Sequence, residues 1–306
     1  MVVRAEFEEK EYETFANVEL YQLGRRGPLP PLWTPGQVLE ATLGYDAAAN
    51  VRLNKSLRRA MALPPRRHAR MDGVTTAAIY PARGQYANIP RFVASLFIQY
   101  KRPDRMSGRG QSAHLWNGQR YYRARIETDS NQYRILRDLD QMVHPRAVVR
   151  YAAPAFHTRT ELFASASTHA VLERTAFLRP VRLKDQHTYW TYRMPGSMGL
   201  WNPAGDASYA ESIDQMVENL SDRQESETLQ SHLRELFLSI EEADHLGLTD
   251  SDRRLLDAFR APNARIGRNS QARAILAISG WVVRQRLTWR LLAQPHDRYR
   301  AGMIGA

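Results

Sequence analysis

Gln99 and Lys101 stand one residue apart in the alternating run Leu96-Phe97-Ile98-Gln99-Tyr100-Lys101-Arg102-Pro103. A strand shows residues i and i+2 on one face, so the amide and the ammonium project side by side. Phe97 shares their face, and Leu96, Ile98 and Tyr100 point the other way. The chain has four lysines against 39 arginines. A lysine where arginine is the usual cation offers a compact, titratable ammonium. An acid or amide next but one to a lysine, with an aspartate on a neighbouring strand, suits phosphodiester hydrolysis. The carboxylate holds a divalent cation that polarises the phosphate and acidifies a bound water. The lysine stands by that water and by the developing negative charge.

Several elements must position these heads. Thr34, Pro35 and Gln37 form a capping-box start for a helix that carries Val38, Leu39, Glu40 and Leu43 and breaks at Gly44. Tyr45-Asp46-Ala47 follows. Residues 52–70 hold Arg52, Lys55, Arg58, Arg59, Arg66, Arg67 and Arg70 with no acid. Asp72-Gly73 reads as a turn, residues 74–80 as a strand and 92–101 as the strand of Gln99. Residues 103–118, with Arg105 and Arg109, read as a mobile basic loop. Residues 119–127 read as a strand paired with that of Gln99. Ile135, Leu136, Leu139 and Met142 give residues 132–143 an apolar helical face. Residues 147–153 read as a buried strand, Thr158 and Glu161 as a second capping box, and 175–183 and 188–192 as strands. Residues 3–20 show no clean period. A loop over residues 194–206 is followed by helices over 208–221, 224–245, 250–259 and 270–292. The last carries Trp281 and Trp289 on a face expected in a core.

The chain of 306 residues has a formal charge of +11, which favours a polyanionic partner, nucleic acid before an anionic membrane. It has no cysteine, which excludes disulfides, thiolate catalysis and cysteine–zinc sites. Residues 1–10 are acidic without an apolar core, and no apolar run reaches the roughly 18 residues of a membrane span. A cytoplasmic protein is expected.

Gly44-Tyr45-Asp46 followed by Phe97-Ile98-Gln99-Tyr100-Lys101-Arg102-Pro103 resembles the PD-(D/E)XK restriction-endonuclease-like superfamily in its Q-x-K variant. Residues 151–158 resemble uncharacterised bacterial members that share this pairing. The resemblance covers about residues 36–192. It implies an α/β fold with a restriction-endonuclease-like αβα core and a mixed central sheet, beside an α-helical C-terminal region. The resemblance leaves the helical C-terminal part unexplained; the composition shift near residue 200 is read as dividing an α/β nuclease domain over residues 1–200 from a helical appendage over 201–306 for substrate contact, partner docking or dimerisation. By the same likeness Asp46 matches the metal aspartate, Gln99 stands where glutamate is usual, Lys101 matches the catalytic lysine and Glu40 an acid of the first helix. Gln132 matches a polar residue aimed at the site.

The implied activity is Mg²⁺- or Mn²⁺-dependent cleavage of DNA, in restriction or anti-phage defence, with RNA as the other substrate. Lys55, Arg58, Arg59, Arg66, Arg67, Arg102 and Arg105 are the expected nucleic-acid contacts. Asp72, 27 residues before Gln99, competes with Asp46, 53 residues before it, for the metal. The alternative is a nucleic-acid-binding or scaffold protein that keeps the fold without catalysis. His157 and Glu161, at i and i+4, are a rival pair of metal ligands without a third partner.

Overall fold

The computed structural model describes residues 2–26, 32–33, 48–51, 69–72, 92–107, 116–144, 146–184, 187–202, 207–216 and 228–244. Beyond these it describes residues 248, 250, 253–254, 256–257, 274–275, 277–282, 285 and 287–293. The chain divides into two compact units, one of residues 1–29, 97–144 and 148–224, the other of 30–96, 145–147 and 225–306. The strand of Gln99 begins in the second unit and ends in the first. The expected boundary near residue 200 falls inside a strand, Met198–Asn202.

The first unit is a mixed α/β assembly. Strand β1 (Val2–Arg4) leads into helix α1 (Glu9–Arg26). The helix was hidden in the sequence because its buried stripe, Tyr12, Ala16, Glu19 and Leu20, includes a small residue and an acid. The Glu19 carboxylate accepts the backbone N–H groups of Val171 and Leu172, both at 2.8 Å. Burial nevertheless raises its pKa. Phe7, Tyr12, Tyr100 and Phe156 pack ring against ring, with Tyr12 edge-on to Tyr100 at 5.3 Å.

Strands β2 (Leu32–Trp33), β3 (Ala48–Val51) and β4 (Ala69–Asp72) belong to the second unit, and β5 (Phe92–Tyr100) enters the first. The helix expected over 34–43 and the strand over 74–80 lie outside the described residues. After β5 the chain turns at Arg102 straight into β6 (Pro103–Met106), where a basic loop was expected. Proline lacks an N–H, so it fits the first position of a strand. Both Pro103 and Met106 are buried. Asn117 and Gly118 have φ of 50° and 72° and close a tight turn, Gln119 N–H to Trp116 C=O at 2.9 Å. Two left-handed central residues suit the twist of paired strands. Strand β7 (Tyr121–Arg125) follows and pairs with β6, not with β5 as expected.

Helix α2 (Asn131–Met142) buries Ile135, Leu136 and Leu139 as expected, but Met142 is 39 % exposed. Strand β8 (Ala147–Pro154) is buried along its length. The Ser95 N–H donates to the Arg146 C=O and the Lys101 N–H to the Ala152 C=O, both at 2.8 Å. The partners advance by six residues on each chain, so β5 and β8 run parallel. Parallel neighbours need a long crossover, and α2 supplies it. Helix α3 (Arg159–Ser167) starts at Thr158 with both halves of the expected capping box formed. Strand β9 (Thr175–Leu178) then pairs antiparallel with β8, which makes the sheet mixed.

Three further strands, β10 (Tyr189–Tyr192), β11 (Met198–Asn202) and β12 (Ala207–Tyr209), complete an antiparallel sheet in the order β1-β6-β7-β10-β11-β12. Thus β11 lies where a loop was expected, and β12 takes the first two residues of the helix expected over 208–221, of which residues 213–216 are helical.

In the second unit β3 and β4 form a two-stranded ribbon. Helix α4 (Leu229–Ala243) buries Leu233, Leu236, Phe237 and Ile240. Residues 274–275 and 277–282 are helical, and β13 (Thr288–Ala293) pairs antiparallel with β2. The single helix expected over 270–292 is therefore two elements. Trp281 sits in the helix and Trp289 on β13, and both are buried. The Trp289 Nε1–H donates to Ser95 Oγ at 3.0 Å, a partner remote in sequence that outweighs local helix preference. Among the described residues no helix is long and apolar enough to cross a membrane.

Candidate functional site

Gln99, next to last in β5, and Lys101, just beyond its end, have different surroundings. Gln99 is only 3 % exposed, and its Oε1 is buried without a hydrogen-bond partner. Leaving a buried polar atom unpaired costs about 1–3 kcal/mol, so such an atom calls for a reason. Lys101 is half-buried, and its Nζ lies 5.7 Å from the centre of the Tyr151 ring on β8. Tyr100, between them, takes the opposite direction. Its hydroxyl donates to Asn17 Oδ1 on α1 at 3.0 Å. The alternation expected along this strand is present. Burial pushes the Tyr151 hydroxyl well above its usual pKa, with Tyr133 of α2 adding to the rise, so Tyr151 is a neutral wall beside the ammonium.

The carboxylates expected to complete the pair are distributed differently. Asp46 and Glu40 lie outside the described residues, as do Lys55, Arg58, Arg59, Arg66 and Arg67. Asp72 closes β4, and its backbone stands in register with Ala48, the first residue of β3. Among the described residues no group of three histidines, cysteines or acids can hold a metal ion. An amide oxygen is a hard, neutral donor of the kind Mg²⁺ accepts, and the unpaired Oε1 fits that role once a carboxylate joins it.

The two described arginines of the expected contact set differ sharply. Arg102 Nη1 donates to both Glu8 oxygens at 2.9 Å and Nη2 to the Ala5 C=O at 2.8 Å, so its charge is matched. Arg105, on β6, has no carboxylate partner among the described residues. Its Nη1 lies 3.2 Å from His157 Nε2. Opposite it in register on β7 is Tyr122. The Tyr122 ring stacks on Tyr192 at 5.9 Å, and Tyr192 donates its hydroxyl to the Pro154 C=O at 2.8 Å. These contacts tie the Tyr122 ring to the end of β8.

His157 and Glu161 do not converge on a third ligand but face one another, Nδ1 to Oε2 at 3.2 Å. Glu161 also accepts the backbone N–H groups of His157 and Thr158 at 3.1 and 3.0 Å and the Thr158 hydroxyl at 2.9 Å. Burial raises its pKa, but those hydrogen bonds and nearby His157 outweigh it and hold the carboxyl below the usual range. Arg105, Tyr122 and His157 were not assembled from the sequence, because β6 was taken for a loop. The one available signal was the Phe-His-Thr segment that closes β8.

A second polar constellation lies in the second unit. Ser95 Oγ is 2.8 Å from His232 Nε2, a serine–histidine spacing that invites a nucleophile assignment. Both side chains are fully buried and Ser95 Oγ also receives Trp289, so the trio is a structural tie.

The chain matches no protein-family model, no curated protein and no solved structure.

Proposed function

We propose that the chain is a divalent-metal-dependent nuclease acting on DNA, with Gln99 and Lys101 as the described half of its active site. The observation that carries this reading is the buried, unpartnered Oε1 of Gln99 at the end of β5, two residues before the half-buried Lys101. The pair stands at the carboxyl end of β5, where it runs parallel to β8, the customary position for ligand sites in sheets of this kind. A net charge of +11 suits a polyanionic substrate. On the sequence resemblance Asp46 is assigned as the metal carboxylate, with Asp72 as the competing choice. The cation, when bound, supplies Lewis acidity toward a phosphate oxygen. Lys101 orients or deprotonates the attacking water and offsets charge that grows on the phosphate. Tyr151 keeps one side of the ammonium apolar.

The test uses purified protein with duplex DNA and Mg²⁺ or Mn²⁺. Lys101→Ala and Asp46→Ala each abolish cleavage while thermal unfolding stays that of a folded protein. Undiminished cleavage by both variants rejects the assignment. A second reading, a non-catalytic nucleic-acid-binding protein, is favoured by the uncharged amide at position 99. Calorimetric titration with Mn²⁺ separates the two: an enzyme has a divalent site that Asp46→Asn removes.

A further inference from the structure

Among the described residues of the first unit, Arg105 is a cation whose surroundings suit an anion. Five other arginines of the unit are each paired with an acid: Arg102 with Glu8, Arg123 with Asp104, Arg150 with Glu211, Arg159 with Glu11 and Arg174 with Glu161. Arg105 instead meets an imidazole. An arginine only donates, so His157 Nε2 must accept and the ring proton must sit on Nδ1. That nitrogen faces Glu161 Oε2 at 3.2 Å, although out of line for a full hydrogen bond. Glu161 is itself pinned by the capping box of α3. The chain Glu161–His157–Arg105 therefore aims the guanidinium without neutralising it by direct contact.

The opposite wall is Tyr122. It is cross-strand from Arg105, so both side chains leave the same face of the β6–β7 pair. Its hydroxyl makes no hydrogen bond among the described residues. Its pKa is raised by burial and by the Glu161 charge, with Arg105 and Arg174 acting in the opposite sense. A neutral O–H donor beside a half-exposed planar guanidinium matches a tetrahedral oxyanion, which takes two oxygens on the fork and a third from the hydroxyl.

We infer that Arg105 and the Tyr122 hydroxyl form a subsite for one phosphate of a nucleic-acid strand, with His157 and Glu161 as its positioning residues. The inference deepens the proposed function, since it rests on nucleic acid being the partner. The β5–β6 connection is two residues long, Lys101 and Arg102, so the subsite lies close in sequence to the expected catalytic lysine.

The experiment measures duplex affinity across a salt series in EDTA, where no cleavage occurs. Arg105→Gln makes the log–log slope shallower by about 0.9, the loss of one phosphate contact on B-DNA. His157→Leu, which loses the acceptor that aims Arg105 but leaves its charge, weakens binding with the slope kept, and His157→Gln, which keeps an acceptor, restores the affinity. A purely structural role would not discriminate between those two variants. Tyr122→Phe weakens binding with little change of slope, because a neutral donor releases no counterion. Arg134→Gln, an equal charge removed from an exposed site on α2, leaves the slope unchanged.

A slope indifferent to Arg105→Gln, or one reduced as much by Arg134→Gln, overturns the subsite. Circular dichroism melts confirm that each variant is folded, and Arg105→Lys, with the charge but not the fork, retains the slope and binds more weakly. A protein that never cleaves yet keeps the Arg105-dependent slope loses only the proposed catalysis. A protein that cleaves while its slope ignores Arg105 loses only the subsite.

Discussion

Arg105 and His157 meet at 3.2 Å, guanidinium Nη1 to imidazole Nε2, across 52 residues of chain. The contact joins β6, the strand that follows the Gln99–Lys101 segment, to the segment that closes β8. It leaves a positive charge that has no acid partner among the described residues.

The unpaired Oε1 of Gln99 has a stability consequence of its own. Gln99→Met keeps volume and shape but removes an amide that is buried without an acceptor's partner. The expected outcome is a gain of about 1 kcal/mol in chemical denaturation together with loss of cleavage. Destabilisation by that amount would show that the amide is satisfied in solution and is not held for a ligand.

Gln99→Glu tests the same position in the other direction. A buried carboxylate without a partner is costly, and a divalent cation offsets that cost. The variant is expected to melt lower than wild type in EDTA and to recover on addition of Mg²⁺. A melting temperature indifferent to Mg²⁺ removes position 99 from the metal site.

Glu161 governs an acid-dependent part of stability. Its carboxyl is held below the usual range, so the folded state binds a proton there less readily than the unfolded state does. The stabilisation is complete above the unfolded carboxylate pKa of about 4.3 and is lost as pH falls through the folded value. Glu161→Gln therefore lowers stability at pH 7, and the difference from wild type shrinks as the pH falls below about 4. Thr158→Ala, which removes the other half of the cap, costs about 1 kcal/mol. Paired denaturation curves at neutral and acid pH check both.

Asp244 anchors the second unit. It is buried at the end of α4 and accepts from Trp281 Nε1 at 2.7 Å and from Gln285 Nε2 at 2.8 Å. Asp244→Ala strands two donors and is expected to cost about 3 kcal/mol in urea unfolding. A loss under about 1 kcal/mol would mean that water replaces the carboxylate.

Local sequence determined what depends on neighbours along the chain. The alternation at Phe97 to Lys101 separates Tyr100 from its two polar neighbours, and the Thr158–Glu161 spacing makes its capping box. The apolar positions Ile135, Leu136 and Leu139 make one buried face of α2. These follow from the two-residue period of a strand and the 3.6-residue period of a helix. Other features needed partners far away in sequence. Residues 103–106 become a strand because β1 and β7 lie on either side, and residues 288–293 because β2 offers a ladder. The stripe of α1 was obscured because its buried acid is satisfied by the backbone of Val171 and Leu172. The tertiary structure alone decided that Arg102 is neutralised by Glu8 while Arg105 is aimed by His157. Two arginines three residues apart carry the same charge in the sequence, and only the groups folded against them give one a carboxylate partner and the other, among the described residues, an imidazole.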